Sequence, residues 1–177
     1  MTTYGMPYFL ADKTGSLSGS EFTDVNDRMR LVYRCTANDS THKAYIIYDS
    51  SVTQVPPIAL DFGPDDSLGI ISFGSDRSLP MKKYLSKVSM LGSSKYRKFT
   101  GLDGEECRWK NKSDEHEWTC YTSQNEIVAY YDLKLYGEPT YATSSGCCFS
   151  VEEDYGHMAC EYLASLMIMR HIDAHNL

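Results

Sequence analysis

The chain has 177 residues, of which 42% are hydrophobic and 23% charged, and its formal net charge is −7. That length suits one domain with a full hydrophobic core, and the composition is that of a globular protein. No run approaches the roughly 18 apolar residues of a membrane-spanning helix, and the acidic balance argues against nucleic acid as a partner.

Residues 1–27 are rich in Thr, Ser, Gly and Asp, with apolar islands only at Tyr8-Phe9-Leu10 and Phe22. They read as an irregular N-terminal segment ahead of a single β-rich domain over 28–177. Strand texture begins at Leu31 to Thr36, turns at Asn38-Asp39-Ser40 and resumes at Ala44 to Tyr48. After Pro56-Pro57 come short strands at Ile58 to Phe62 and Leu68 to Phe73, separated by the turn Gly63-Pro64-Asp65-Asp66. Tyr84, Leu85, Val88 and Leu91 fall near helical spacing behind Pro80, which predicts a short helix over Met81 to Leu91.

The clearest hairpin follows: Tyr96 to Thr100, the turn Gly101-Leu102-Asp103-Gly104, and a return strand from Glu106 to Lys110. Glu117 to Tyr121, Ile127 to Leu135, Tyr141 to Thr143 and Cys147 to Val151 complete about nine strands. Fourteen tyrosines support the β reading, because tyrosine packs well on half-buried strands. The tail breaks the pattern. From about 152 to 171 there is no proline, acids stand at the start, Arg170 and His171 stand at the end, and Tyr162 to Met169 is apolar nearly all round. A helix with no polar face is buried on every side. The expected fold is therefore mainly β, an antiparallel barrel or clam around a hydrophobic C-terminal helix; the alternative is a helix docked against an open sheet or a partner.

Six cysteines raise the question of disulfides. Met1 to Leu10 has no basic start and no long apolar run, and Cys35, Cys107 and Cys120 sit in strand-like runs as small apolar residues. The expectation is a cytoplasmic protein with reduced cysteines. Cys147-Cys148 follows a Ser-Ser-Gly turn, with His157 nearby in sequence, and is the sharpest nucleophile candidate for an enzyme with a pocket at the barrel mouth. No signature surrounds these cysteines, so no catalytic residue is assigned. His171 and His175, and His157 with Glu161, share helical spacing, but no second ligand pair accompanies them. No metal or other cofactor is expected.

Phe99-Thr100-Gly101-Leu102-Asp103-Gly104-Glu105-Glu106-Cys107-Arg108-Trp109-Lys110 resembles the F-T-G-x-D-G-x-x-Y-x-W-K hairpin of a fungal family of uncharacterised proteins, common in mushroom-forming species. Cys107 stands where that pattern has an aromatic. Trp118, the run Val128 to Asp132 and the opening strand Leu31 to Thr36 extend the resemblance over roughly 28–172. It implies a fold similar to tubby-like and LURP-one-related proteins, and it implies no activity.

Charge is segregated. Nine of the 17 basic residues lie between Lys82 and Lys112 against three acids, about +6, which leaves about −13 on the rest of the chain. Such a patch acts locally and not through net charge. Tubby-like domains bind phosphoinositide headgroups through basic residues, and the resemblance therefore points to Lys82, Lys83, Lys95, Arg97, Lys98, Arg108 and Lys110 as a ligand-binding window. The expected function is a non-catalytic intracellular binding or scaffold domain that contacts anionic phospholipid headgroups or another protein.

Overall fold

A computed structural model describes residues 5–111, 117–132 and 145–177. Thirteen strands form one antiparallel sheet: β1 (Tyr8–Asp12), β2 (Gly19–Asp24), β3 (Arg30–Asn38), β4 (Lys43–Asp49), β5 (Ile58–Phe62), β6 (Ile70–Phe73), β7 (Arg77–Pro80), β8 (Ser86–Lys87), β9 (Tyr96–Thr100), β10 (Glu106–Asn111), β11 (Glu117–Thr122), β12 (Ile127–Asp132) and β13 (Cys147–Val151). Their spatial order is β7-β6-β5-β4-β3-β2-β1-β13-β12-β11-β10-β9-β8. Among the described residues two α-helices accompany the sheet, the single turn α1 (Met81–Tyr84) and α2 (Ala159–His175), which a 3-10 segment at Glu153–Met158 leads into.

The sheet is not closed. Its edge strands β7 and β8 do not pair with each other, and α1 joins them across the seam. The expected barrel of about nine strands is thus an open thirteen-strand sheet. The extra strands come from the region read as irregular, which holds β1 and β2, and from β7 and β8. The expected helix over Met81 to Leu91 stops at Tyr84, where the chain extends into β8. The strand expected at Tyr141 to Thr143 and the end of the one expected at Ile127 to Leu135 lie outside the described residues.

Burial alternates along most strands, as a period of two requires when one face is covered. In β5, for example, Ile58, Leu60 and Phe62 point inward and Ala59 and Asp61 outward. What the inward face covers is α2, every residue of which from Ala159 to Ile172 is buried. The sheet curls to achieve this. Phe62 of β5 stacks on His171, with ring centroids 3.9 Å apart, while Phe99 of β9 meets Tyr162 edge-on. Across the seam, the α1 ring of Tyr84 bridges Phe73 of β6 (5.7 Å) and Phe99 of β9 (5.4 Å). Gly69, at the entry to β6, lets the chain pass close against β5, since a side-chain carbon there would lie 1.9 Å from the Asp61 carbonyl oxygen.

Four polar side chains of α2 fix its register inside the sheet. The Trp109 Nε1–H donates to Ser165 Oγ at 2.8 Å. Glu161 accepts from Tyr84 OH at 3.0 Å and from the Leu102 N–H at 2.9 Å. Arg170 donates to Tyr131 OH and to the Gly15 carbonyl, and Tyr131 in turn donates to Asp12. His171 Nε2 lies 2.7 Å from the Asp66 carbonyl oxygen. Burying a polar group is tolerable only when it is paired. Ser165→Ala should therefore strand the indole N–H and lower the unfolding free energy by about 1–3 kcal/mol; urea denaturation checks this, and an unchanged midpoint would contradict it.

Candidate functional site: the seam and its loop

The basic window does not form a single patch. Lys98 and Arg108 are cross-strand neighbours on β9 and β10, and on β10 Arg108 and Lys110 alternate with the buried Cys107 and Trp109. These three residues share the outer face, because side chains two apart on a strand point the same way. Lys98 is paired with Glu106 at 3.0 Å, and Arg108 donates to Asn125 Oδ1 at 2.6 Å. Lys95 is paired with Asp173 at 2.6 Å. Lys82, Lys83, Lys87 and Lys110 are exposed and make no ion pair among the described residues.

Arg97 faces inward and is only 6% exposed. Its Nε–H donates to the Ser94 carbonyl at 3.0 Å and its Nη1–H to the Leu85 carbonyl at 3.2 Å. Burial pushes its pKa down. The structure brings Arg97 together with Lys82 and Lys87 around a cavity of about 410 Å³ at the seam, which Ser67, Leu68, Ser86 and Leu177 also line.

Beside that cavity, residues 88–95 loop out between β8 and β9. The Gly92 N–H donates to the Ser89 carbonyl at 3.1 Å, which makes Ser89–Gly92 a β-turn with Met90 and Leu91 at its corners. Turn corners favour Gly, Pro, Asn, Asp and Ser. Here they carry two large apolar side chains, Met90 at 96% and Leu91 at 102% exposure. Sequence reasoning missed this feature because Leu91 fits the helical spacing of the preceding apolar residues. The signal that identifies it is Gly92-Ser93-Ser94, three turn-forming residues directly behind the pair.

The two cysteines weighed as nucleophiles lie on the expected strand, apart from His157. Cys147 and Cys148 pair with β1 and β12 on β13, while His157 reaches Asp103 across 4.0 Å. Burial raises the Cys148 thiol pKa, the opposite of activation. Among the described residues no cysteine is joined in a disulfide. Among the described residues no group of three His, Cys, Asp or Glu side chains is placed to hold a metal ion.

A second, polar cavity of about 310 Å³ lies at the C-terminal end of α2, lined by Tyr33, Tyr45, Lys43, Asp66, His171 and His175 among others. Asp66 accepts from Lys43 at 2.6 Å and sits 3.6 Å from His175. His171 is packed against Phe62 and His175, and burial holds its pKa below the usual 6.5.

The chain belongs to a family of unknown function, DUF6593, whose model matches residues 17–172. No curated protein and no solved structure matches it.

The His171 environment predicts a pH dependence. The unfolded chain takes up the imidazole proton more readily than the folded one, so this contribution to stability is full above about pH 6.5 and is lost as the pH falls through the lower folded value. Urea unfolding between about pH 8 and 5 should show the loss, with a flatter slope in His171→Gln; an identical slope in that variant would contradict the assignment.

Proposed function

We propose that this protein is a non-catalytic module that docks reversibly on anionic phospholipid surfaces through the β8–β9 loop. The observation that carries the reading is the exposed pair Met90-Leu91 at a turn corner, flanked by Lys82, Lys83 and Lys87 on one side. Apolar tips enter the acyl region, and lysines around them meet phosphate and carboxylate headgroups. Moving a Met and a Leu side chain out of water yields about 1.5–3 kcal/mol each. Each lysine near an anionic surface adds about 1 kcal/mol. The gross sum of about 6–9 kcal/mol, less the cost of immobilising the protein, makes the contact weak and dependent on both halves.

No helix among the described residues is long and apolar enough to cross a membrane, so the proposed attachment is peripheral. A cytoplasmic location is part of the proposal. So is kinship with the tubby-like style of fold, supported by the apolar helix wrapped in antiparallel sheet. The outer-face residues Lys98, Arg108 and Lys110 lie on a separate surface, and the pairing of Lys98 with Glu106 makes them secondary to the loop.

Vesicle co-sedimentation tests the reading. The wild type should sediment with phosphatidylserine or phosphoinositide vesicles at low salt, less at high salt, and not with phosphatidylcholine alone. Met90→Ser with Leu91→Ser, and separately Lys82→Glu with Lys83→Glu and Lys87→Glu, should each weaken binding about tenfold or more, since each removes at least 1.4 kcal/mol. Because all five side chains are exposed, the melting temperature should hold. Undiminished binding in either variant would sink the proposal.

A further inference from the structure

Arg97 is the one strongly buried cation whose charge is not answered nearby among the described residues. Arg170, the other buried arginine, donates to Tyr131, which donates to Asp12. Arg28, partly buried, is paired with Asp24 at 2.8 Å. Around Arg97 no carboxylate lies within 4.0 Å among the described residues, and the carbonyls of Ser94 and Leu85 orient the guanidinium without neutralising it. Its Nη2 donates to no acceptor among the described residues. A buried, uncompensated charge is costly, and an anion entering the cavity would offset that cost. Lys82 and Lys87, both free of ion pairs among the described residues, line the same cavity as Arg97.

We infer that the seam cavity binds a phosphate monoester carried on an apolar stem, with Arg97 as the buried anchor and Lys82 and Lys87 closing over the anion. A guanidinium presents a planar fork that matches phosphate oxygens, and lysines add point charges around it. Leu68, Leu177 and the aliphatic parts of the lysines leave the remaining lining apolar, suited to a stem. The volume, about 410 Å³, falls within the range of small-molecule sites. The inference stands on Arg97 and holds whether or not the loop enters a membrane. The same monoester chemistry comes from a lipid such as phosphatidic acid or from a soluble phosphorylated metabolite.

Titration of the full chain with hexyl phosphate, followed by calorimetry and by backbone amide NMR, tests the site. Saturable binding is expected, tighter than for inorganic phosphate, absent for hexanol, and with shifts concentrated at Leu85 to Lys87 and Ser94 to Lys98. Arg97→Gln should weaken it about tenfold or more. Lys82→Gln with Lys87→Gln, a surface change that leaves folding intact, should weaken it severalfold and carries the test if Arg97→Gln fails to fold. Two vesicle arms, phosphatidic acid and phosphatidylserine at equal charge density, identify the source. A preference for phosphatidic acid that disappears in the lysine variant assigns a lipid headgroup, and hexyl phosphate binding without such a preference assigns a soluble monoester. Absence of saturable hexyl phosphate binding up to about 10 mM, or equal affinity in the wild type and the lysine variant, would overturn the inference. Because Met90→Ser with Leu91→Ser leaves the cavity intact, that variant should lose vesicles and keep hexyl phosphate, which separates the two proposals.

Discussion

Everything in this fold follows from the burial of α2. Its sequence from Tyr162 to Met169 offers water almost nothing polar, so the helix is stable only if covered on all sides. An antiparallel sheet of thirteen strands can do so, because right-handed twist lets a long sheet curl around an object instead of lying flat. The few polar groups on α2 then become addresses. Ser165, Glu161, Arg170 and His171 each meet one partner set drawn from a different part of the sheet or its loops. Sliding or rotating the helix would leave several buried polar groups unpaired at once, so the packing is unique as well as apolar.

A filled interior determines where ligands can go. Barrels that carry cargo keep an open centre, whereas here the centre is side chains of α2. The proposed binding therefore falls at the margins, where the sheet fails to close. The seam between β7 and β8 is such a margin. Tyr84 anchors α1 to Glu161 from within, so Lys82 and Lys83, on the same turn, are presented outward from a fixed base. Arg97 is held by the carbonyls of Leu85, just ahead of β8, and Ser94, near the end of the β8–β9 loop. The loop that displays Met90 and Leu91 is thus tied at its root by the same residue that anchors the cavity.

Much of the fold was legible in the sequence because period-two alternation and turn residues are local signals. The limits of β5, β9 and β13 agree with the sequence reading, and so does an apolar helix at the C-terminus. The failures have local causes. β1 and β2 turn Asp12, Asp24 and Ser20 inward to serve buried hydrogen bonds, which removes the apolar alternation that marks a strand. β7 ends on Pro80 and β8 is two residues long, too short for any pattern. The candidate site was legible as a count of charges but not as a shape. Alternation on β9 sends Arg97 inward and Lys98 outward, and only the folded sheet shows that Arg97 shares a cavity with Lys82 and Lys87. Leu91 misled because its spacing suits a helix that Tyr84 has already ended.

The most direct measurement of the account is the environment of residue 91 at a membrane. Trp109 and Trp118 are fully buried, so a tryptophan introduced by Leu91→Trp reports on the loop against a constant background. On anionic vesicles its emission should shift to the blue and be quenched by bromine atoms placed along the acyl chains. Emission that stays at its aqueous wavelength, unquenched, in protein that has sedimented with the vesicles would show that the loop is not the contact and would contradict the account.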